Sequence, residues 1–515
     1  MKYPVGIQDF GEVIRGGYVY VDKTALIWQL IDRGKYYFLS RPRRFGKSLL
    51  LSTIAAWFQD KKELFENLAI TDLAGGCPEE HPVLRLDWGG KEYNCYEDLI
   101  ERLNWNFKRW EMQYGITEPE RSVDLRFASI IERACEQTGR QVVILIDEYD
   151  KPLLEAIGNE PLREMYRSTL RGVYGNLKTC DACIRFAMLT GVTKFSKLSI
   201  FSDLNNLDDI SMNADYATLC GITEQELETY FAVGIEELAQ RNRISVDEAK
   251  EHLKRRYDGY LFEEYAERVY NPFSLLSTLN SKKFMDYWFG TGTPTFLVEM
   301  LARENFTLEN LSNEPVDAAG FNALDTLDSN PLPILYQSGY LTIDHCDDMD
   351  NYYLRFPNEE VERSFLKQLL PFQVFKGQQP TNSLLVRIIG HIRQGRPEAF
   401  MEELQALLAD IPYEQGKPGE IYFRNLMFTI FRLVGFYCEV EHPVAGGRSD
   451  VVIKTQDFIY VLELKVDQSA EAALQQMEEK GYAAPYAADP RKLFKLGVNF
   501  STKTKQIDEW RIVKA

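Results

Sequence analysis

Arg43, Arg44, Phe45, Gly46, Lys47, Ser48 and Leu49 form one unbroken run between the apolar stretch 37–39 and the apolar residues Leu50, Leu51 and Ile54. Backbone N–H groups of such a turn, followed by a helix N-terminus, make an anion site. Lys47 is expected to reach the β- and γ-phosphates of a nucleotide, and Ser48 to hold Mg²⁺. Arg43 and Arg44 can add charge to phosphate oxygens. Arg41 stands where the usual loop has its first glycine. Further along, the apolar run 142–146 ends in Asp147 and Glu148. Carboxylates at the C-terminal end of a strand lie where open α/β sheets bind ligands. Asp147 is expected on Mg²⁺ and Glu148 on the attacking water. Thr190 closes the apolar run 186–189 and is the candidate sensor of the γ-phosphate, or else a hydroxyl that caps the strand end. ATP and Mg²⁺ are therefore the expected cofactors.

A second group stands near the other end of the chain: Asp450, Glu463 and Lys465. Glu463 and Lys465 are two apart in IYVLELK, so on a strand they share a face. If this run pairs as a hairpin with the one that Asp450 begins, Asp450 falls near the same face. Phosphodiester hydrolysis needs carboxylates that hold Mg²⁺ and a lysine that positions or activates the nucleophile. The stretch AALQQMEEKGY carries Gln476 and Lys480 on one helical face. Glu420 begins a predicted helix after Pro418-Gly419. It is a further candidate metal ligand or general base, or else an acid complementing the helix N-terminus.

The elements that must position these groups follow from periodicity. Residues 1–205 alternate short apolar runs with amphipathic helices, which predicts a parallel sheet covered by helices on both faces. Residues 222–285 read as helical, and Thr223 with Glu226 forms a capping box. Residues 331–366 read as helix end, strand, turn, strand, helix, the pattern of a winged-helix-like module. Residues 367–418 read as a proline-punctuated helical connector. From Glu420 a helix, strands near 436–441, 449–454 and 458–464, a helix at 469–481 and a strand at 493–499 are expected. The predicted domains are 1–220, 221–366, 367–418 and 419–515.

Composition narrows the function classes. Apolar residues make up 45% and charged residues 26%, ordinary for a globular protein. No run of about 18 apolar residues suggests a membrane span, and the opening residues lack the apolar core of a signal peptide. The single C-x-x-C (Cys180, Cys183) and the 5 histidines argue against zinc. Reduced thiols in a cytoplasmic protein are expected. A net charge of −18 argues against a general nucleic-acid binder, but residues 411–515 balance 14 Lys and Arg against 14 Asp and Glu. The triplet Lys254, Arg255, Arg256 reads as a solvated helix face. The absence of alternating aromatic and basic residues argues against a translocating motor.

The segments GIQDF, FLSRPRRFGKS, VVILIDEYD and TGVTKFSKLSIFSDLNNL resemble the AAA-ATPase-like domain of a bacterial and archaeal family, in which it is joined to a C-terminal PD-(D/E)XK nuclease-like domain. The resemblance implies a P-loop ATPase with an additional strand and a helical or winged-helix lid. It implies that Arg41 is a family trait, and that Gly6–Phe10 contacts the base. Asp450, Glu463 and Lys465 match the PD-(D/E)XK motif, and Gln476 matches its later glutamine. The implied function is an ATP-controlled, Mg²⁺-dependent nuclease acting on nucleic acid, DNA before RNA, in a chain able to self-associate. The alternative is a nucleotide-dependent switch or scaffold with an inactive nuclease fold, acting through protein partners.

Overall fold

The computed structural model describes residues 1–75, 79–117, 122–194, 206–288, 311, 315–317, 321, 331–374, 381–409, 420–436, 438–441, 451–504 and 506–514. Its contacts fall into two units, Met1–Thr291 with Glu314–Val361, and Gly292–Asn313 with Glu362–Ala515.

The first unit opens with α1 (Phe10–Arg15), α2 (Thr24–Arg33), β1 (Tyr36–Ser40), α3 (Lys47–Phe58), α4 (Ala69–Leu73), β2 (Val83–Asp87), α5 (Tyr96–Gln113) and α6 (Val123–Thr138). It continues through β3 (Val142–Asp147), α7 (Lys151–Glu155), α8 (Glu160–Thr179), β4 (Ile184–Gly191) and β5 (Asp208–Asp209). The described strands form one sheet in the order β2-β3-β4-β1-β5, with every pairing parallel. β3 is buried along its whole length. Its run of Val, Ile and Leu is what a strand covered on both faces requires. β4 is the additional strand, inserted between β1, which feeds the loop, and β3, which carries the acids. On one side of the sheet Phe38, Ile144, Ile146 and Leu189 join a core with Phe107, Phe127 and Leu170 from the helices.

Next come α9 (Glu224–Asn242), α10 (Val246–Tyr257), α11 (Pro272–Ser281), β6 (Val316–Asp317), α12 (Leu332–Gln337), β7 (Thr342–Cys346), β8 (Asn351–Arg355) and α13 (Glu359–Val374), within which the unit boundary falls. The capping box predicted for α9 forms: Glu226 N–H donates to Thr223 Oγ1 (3.2 Å), and Thr223 N–H donates to Glu226 Oε2 (2.9 Å). β7 and β8 form a hairpin within 331–366 as expected, and β6 pairs with β8, the middle strand of the three. Lys254 and Arg255 are ion-paired with Glu224 and Glu359.

In the second unit, α14 (Thr381–Arg393) and α15 (Pro397–Ala409) are followed by α16 (Glu420–Gly435), β9 (Glu439–Glu441), β10 (Val451–Lys454), β11 (Phe458–Val466), α17 (Ala470–Glu479), β12 (Lys492–Ser501) and β13 (Gln506–Lys514). The sheet order is β13-β12-β11-β10-β9, parallel between β11 and β12 and antiparallel elsewhere. The helices before Glu420 pack on this sheet: Tyr460 Oη donates to the Ile392 carbonyl (2.6 Å) and Gln405 Nε2 to the Ile507 carbonyl (2.8 Å). β13 is not expected from the sequence. It is an edge strand and mostly solvated, so its residues show no apolar run.

No helix among the described residues is long and apolar enough to cross a membrane.

Candidate nucleotide and nuclease sites

β1 ends at Ser40, the chain turns through residues 41–46, and α3 begins at Lys47. Gly46 caps the helix at φ 90°, in the left-handed region that a glycine tolerates. Lys47 is buried, and its Nζ donates to the carbonyls of Arg41 (2.7 Å) and Pro42 (2.9 Å) in its own loop. Burial pushes its pKa down, against the charges of Asp147 and Asp150. Two of its three protons are thus committed to neutral acceptors, and the third suits a phosphate oxygen.

The loop itself is gripped by residues that follow the sheet. The Arg41 guanidinium lies 4.0 Å from the Phe262 ring centroid and donates to the Ser211 carbonyl (2.7 Å). It is 1% exposed, so it cannot meet a solvated phosphate: it is a structural tie. Pro42 abuts Gly339, Trp288 Nε1 donates to the Arg43 carbonyl (3.0 Å), Arg44 stacks on Phe273 (4.7 Å), and the buried Phe45 ring meets Tyr260 (4.7 Å) and Phe262 (5.5 Å). The side chains of Arg43 and Arg44 are exposed. A glycine at 41 could not supply this anchorage.

Across the sheet edge, Thr190 Oγ1 donates to Asp147 Oδ1 (2.7 Å), and Glu148 N–H donates to the same oxygen (3.0 Å). Both Asp147 and Thr190 are buried. The adjacency of β3 and β4 thereby links the predicted metal ligand to the predicted sensor. Glu148 takes a left-handed φ of 52°, rare for a non-glycine residue, which turns its side chain away from the strand direction. Burial pushes its carboxyl pKa up, Asp147 adds to the rise, and Lys47 opposes it. Its Oε2 lies beside Gly89, where an added Cβ would come within 3.2 Å. Sequence reasoning passed over Asp150. Its Oδ2 accepts from the N–H groups of Val192 (3.0 Å) and Thr193 (2.6 Å) and from Thr193 Oγ1 (2.7 Å), fixing the end of β4.

Beside Gly46 and Leu49 lies a mostly apolar cavity of about 100 Å³, lined also by Pro4, Val21, Ile222 and Leu276. Its apolar lining is of the kind that accepts a flat aromatic group. From the N-terminal segment it is Pro4 that lines it. Of Gly6–Phe10, Phe10 is instead buried against Phe65 and Tyr20, its N–H donating to Ser52 Oγ (3.0 Å).

In the second unit, Glu463 and Lys465 extend from one face of β11 and meet Gln476 of α17. Lys465 Nζ donates to Glu463 Oε1 (3.0 Å) and Gln476 Oε1 (2.6 Å), and Gln476 Nε2 donates to Glu463 Oε1 (2.8 Å). Glu463 is 2% exposed. α17 reaches the sheet because residue 497 of β12 is glycine: a Cβ there would collide with the Ala470 carbonyl and stand 2.8 Å from Leu474 Cγ. The β10–β11 register begins at Val451 opposite Leu462. Asp450 lies outside the described residues. Glu420 is the first residue of α16, and its side chain likewise lies outside what is described.

The sequence of residues 4–201 matches the family described as predicted AAA-ATPase, and residues 418–510 match the PD-(D/E)XK nuclease superfamily. A protein of Azotobacter chroococcum mcd 1, described as an uncharacterized protein in the vnfD 5′ region, is 36% identical over 523 residues, covering 98% of each chain. The chain belongs to this family of AAA-ATPase-like proteins with a C-terminal PD-(D/E)XK domain.

Family membership fits the donor chemistry at both sites. Ser48 and Asp147 in the first domain, and Glu463 in the second, offer hard oxygen donors of the kind Mg²⁺ accepts. Among the described residues no cluster of three or more His, Cys, Asp or Glu stands together.

Proposed function

We propose that this family member binds and hydrolyses ATP with Mg²⁺ at the Lys47 loop, and that nucleotide occupancy controls Mg²⁺-dependent phosphodiester cleavage of DNA, or less readily RNA, at the C-terminal domain. The observation that carries the proposal is the contact set Glu463–Lys465–Gln476. Such a triad on a strand and a helix is far more specific than a surface Glu-Leu-Lys, which would leave each side chain solvated.

At the first site Ser48 and Asp147 would hold the ion, Lys47 would neutralise phosphate charge, and the apolar cavity beside Leu49 would take the base. Arg43 and Arg44, exposed on the loop, would add charge at the phosphates. Glu148 would orient the attacking water. Its raised pKa also suits it to take the water's proton, which a carboxylate with an ordinary value does less well. Thr190 would keep Asp147 in place and register the γ-phosphate. At the second site Asp450 and Glu463 would hold the ion, Lys465 would position the nucleophile, Gln476 would hold Lys465, and Glu420 would add a further acid. In both sites bound Mg²⁺ supplies Lewis acidity and a more acidic water.

The test is incubation of the full chain with plasmid, linear DNA and RNA, with Mg²⁺ or Mn²⁺, with and without ATP. Cleavage by the wild type that is lost in Asp450→Ala supports the reading. No cleavage under any condition, together with normal ATP turnover, would replace it with the alternative, a nucleotide-dependent switch acting through protein partners or through self-association.

A further inference from the structure

We propose that Trp288, seated by Glu360, is a positioning residue for nucleotide, a latch that sets the shape of the phosphate loop from outside the sheet. The proposal rests on the nucleotide-binding reading of the Lys47 loop. Glu360 is 1% exposed, and its Oε1 accepts from the main-chain N–H groups of Tyr287 and Trp288, the latter at 2.8 Å. A carboxylate that accepts two main-chain bonds fixes the backbone that carries the indole. The ring is packed edge-on against Tyr340 (5.3 Å), which leaves Nε1 aimed at the Arg43 carbonyl (3.0 Å).

The acceptor is the informative part. The carbonyls of Arg41 and Pro42 hold Lys47 Nζ, and the next carbonyl, that of Arg43, is held by the indole. Successive carbonyls of one turn are therefore tied to the ammonium and to the latch. Gly339 closes the other side. At φ 85° a residue with a Cβ would be strained, and that Cβ would stand 2.5 Å from Pro42. Tyr260 Oη donates to the Gly339 carbonyl (3.1 Å), and the same Tyr260 ring supports Phe45. Releasing the indole would let the turn relax, and the direction of Lys47 with it. Conversely, a phosphate that pulls Lys47 away from its carbonyls would load the latch. That couples the loop to the segment carrying Glu360.

The experiment measures Mg²⁺-dependent binding of a fluorescent ATP analogue, and the KM and kcat of ATP hydrolysis, for the full chain. The variants are Trp288→Phe, Glu360→Ala, Glu360→Gln and Lys47→Ala. Trp288→Phe keeps an aromatic ring but removes the N–H together with part of the indole's bulk. It is expected to weaken binding and raise KM by about five- to tenfold, the worth of one buried hydrogen bond, with kcat within about twofold; the nucleotide-free melting midpoint reads separately the stability lost with the indole's bulk. Glu360→Ala should do the same, and Glu360→Gln should restore wild-type affinity because its amide oxygen accepts both N–H groups. Wild-type affinity in Trp288→Phe overturns the latch. If Trp288→Phe does not fold, equal affinities in Glu360→Ala and Glu360→Gln overturn it. A wild type that binds no analogue, or a Lys47→Ala variant that binds as well as the wild type, removes the nucleotide reading instead, and the two failures are distinguishable.

Discussion

Lys47 and Lys465 both lie in predicted phosphate-handling sites, yet their partners differ. Lys47 Nζ is held by main-chain carbonyls of its own turn, whereas Lys465 Nζ is held by the side chains of Glu463 and Gln476. An ammonium on neutral acceptors in a buried setting keeps its charge for an anion. One already paired to a carboxylate is part of a nearly neutral cluster. The first arrangement reads as an anion receptor whose geometry depends on what supports the turn. The second reads as a preassembled group that needs a further carboxylate and an ion before it acts on a phosphodiester. The support also differs in kind. The loop is steadied by residues distant in sequence, Phe262, Trp288 and Gly339, while the C-terminal triad is steadied within residues 463–497 by the approach of α17 to Gly497.

The comparison can be broken most forcefully at the C-terminal site. Glu463→Ala should lower plasmid cleavage by about 10³-fold or more with ATP turnover retained, since it removes the proposed ion ligand and the partner of Lys465 together. A gel assay of supercoiled plasmid checks this, and retained cleavage would refute the assignment. Lys47→Ala should weaken ATP binding by about a hundredfold, read by titration of a fluorescent analogue, while leaving the melting of the second unit unchanged. Gly497→Ala should destabilise the second unit by about 1–3 kcal/mol through overpacking. It should also impair cleavage by displacing α17, and both effects are measurable by calorimetry and by the same plasmid assay. Thr190→Val should slow hydrolysis by about tenfold with affinity nearly intact, and Thr190→Ser should recover most of it. Equal rates in the two variants would deny Thr190 its hydroxyl role.

The smallest effect sharpens the account of Glu360. Burial pushes its carboxyl pKa up to about 7 from an ordinary 4.5, against the lowering influence of Ser274 and of the Trp288 and Tyr287 N–H groups; Asp286 also faces it. Tyr257 and Tyr260 lie in the same electrostatic neighbourhood. A raised acid binds its proton more tightly when folded. Its stabilising contribution is therefore complete below pH 4.5 and lost as pH rises through about 7. Glu360→Gln should remove that loss, so the variant should gain stability relative to the wild type as pH rises from 5 to 8, visible in melting curves.

Much of this was legible in the order of residues. The apolar run 142–146 ending in Asp147, the run that ends in Thr190, and the Thr223–Glu226 capping box all follow from local pattern, because a strand end and a helix start are local events. Glu463 and Lys465 share a face for the same reason, the two-residue period of a strand. The partner of Thr190 was not legible. Its bond to Asp147 exists because β4 is inserted beside β3, and strand order is a property of the whole sheet. Asp150 was passed over because its acceptors, the N–H groups of residues 192 and 193, are brought to it by that same insertion. β13 was missed because an edge strand needs no apolar stripe.

Arg41 marks the boundary between the two kinds of knowledge. By itself the sequence determined that a turn with the pattern of a phosphate loop stands at 41–48 with an arginine in place of glycine, and that a strand with E-x-K stands near the other end. Only the tertiary structure decided what the arginine does. Its guanidinium is buried on Phe262 and bonded to the Ser211 carbonyl, groups some 170 to 220 residues away in sequence. A one-dimensional pattern can specify which groups a turn presents to a ligand. It cannot specify which distant groups close over the turn, because that depends on the packing of elements whose own local signals carry no record of it.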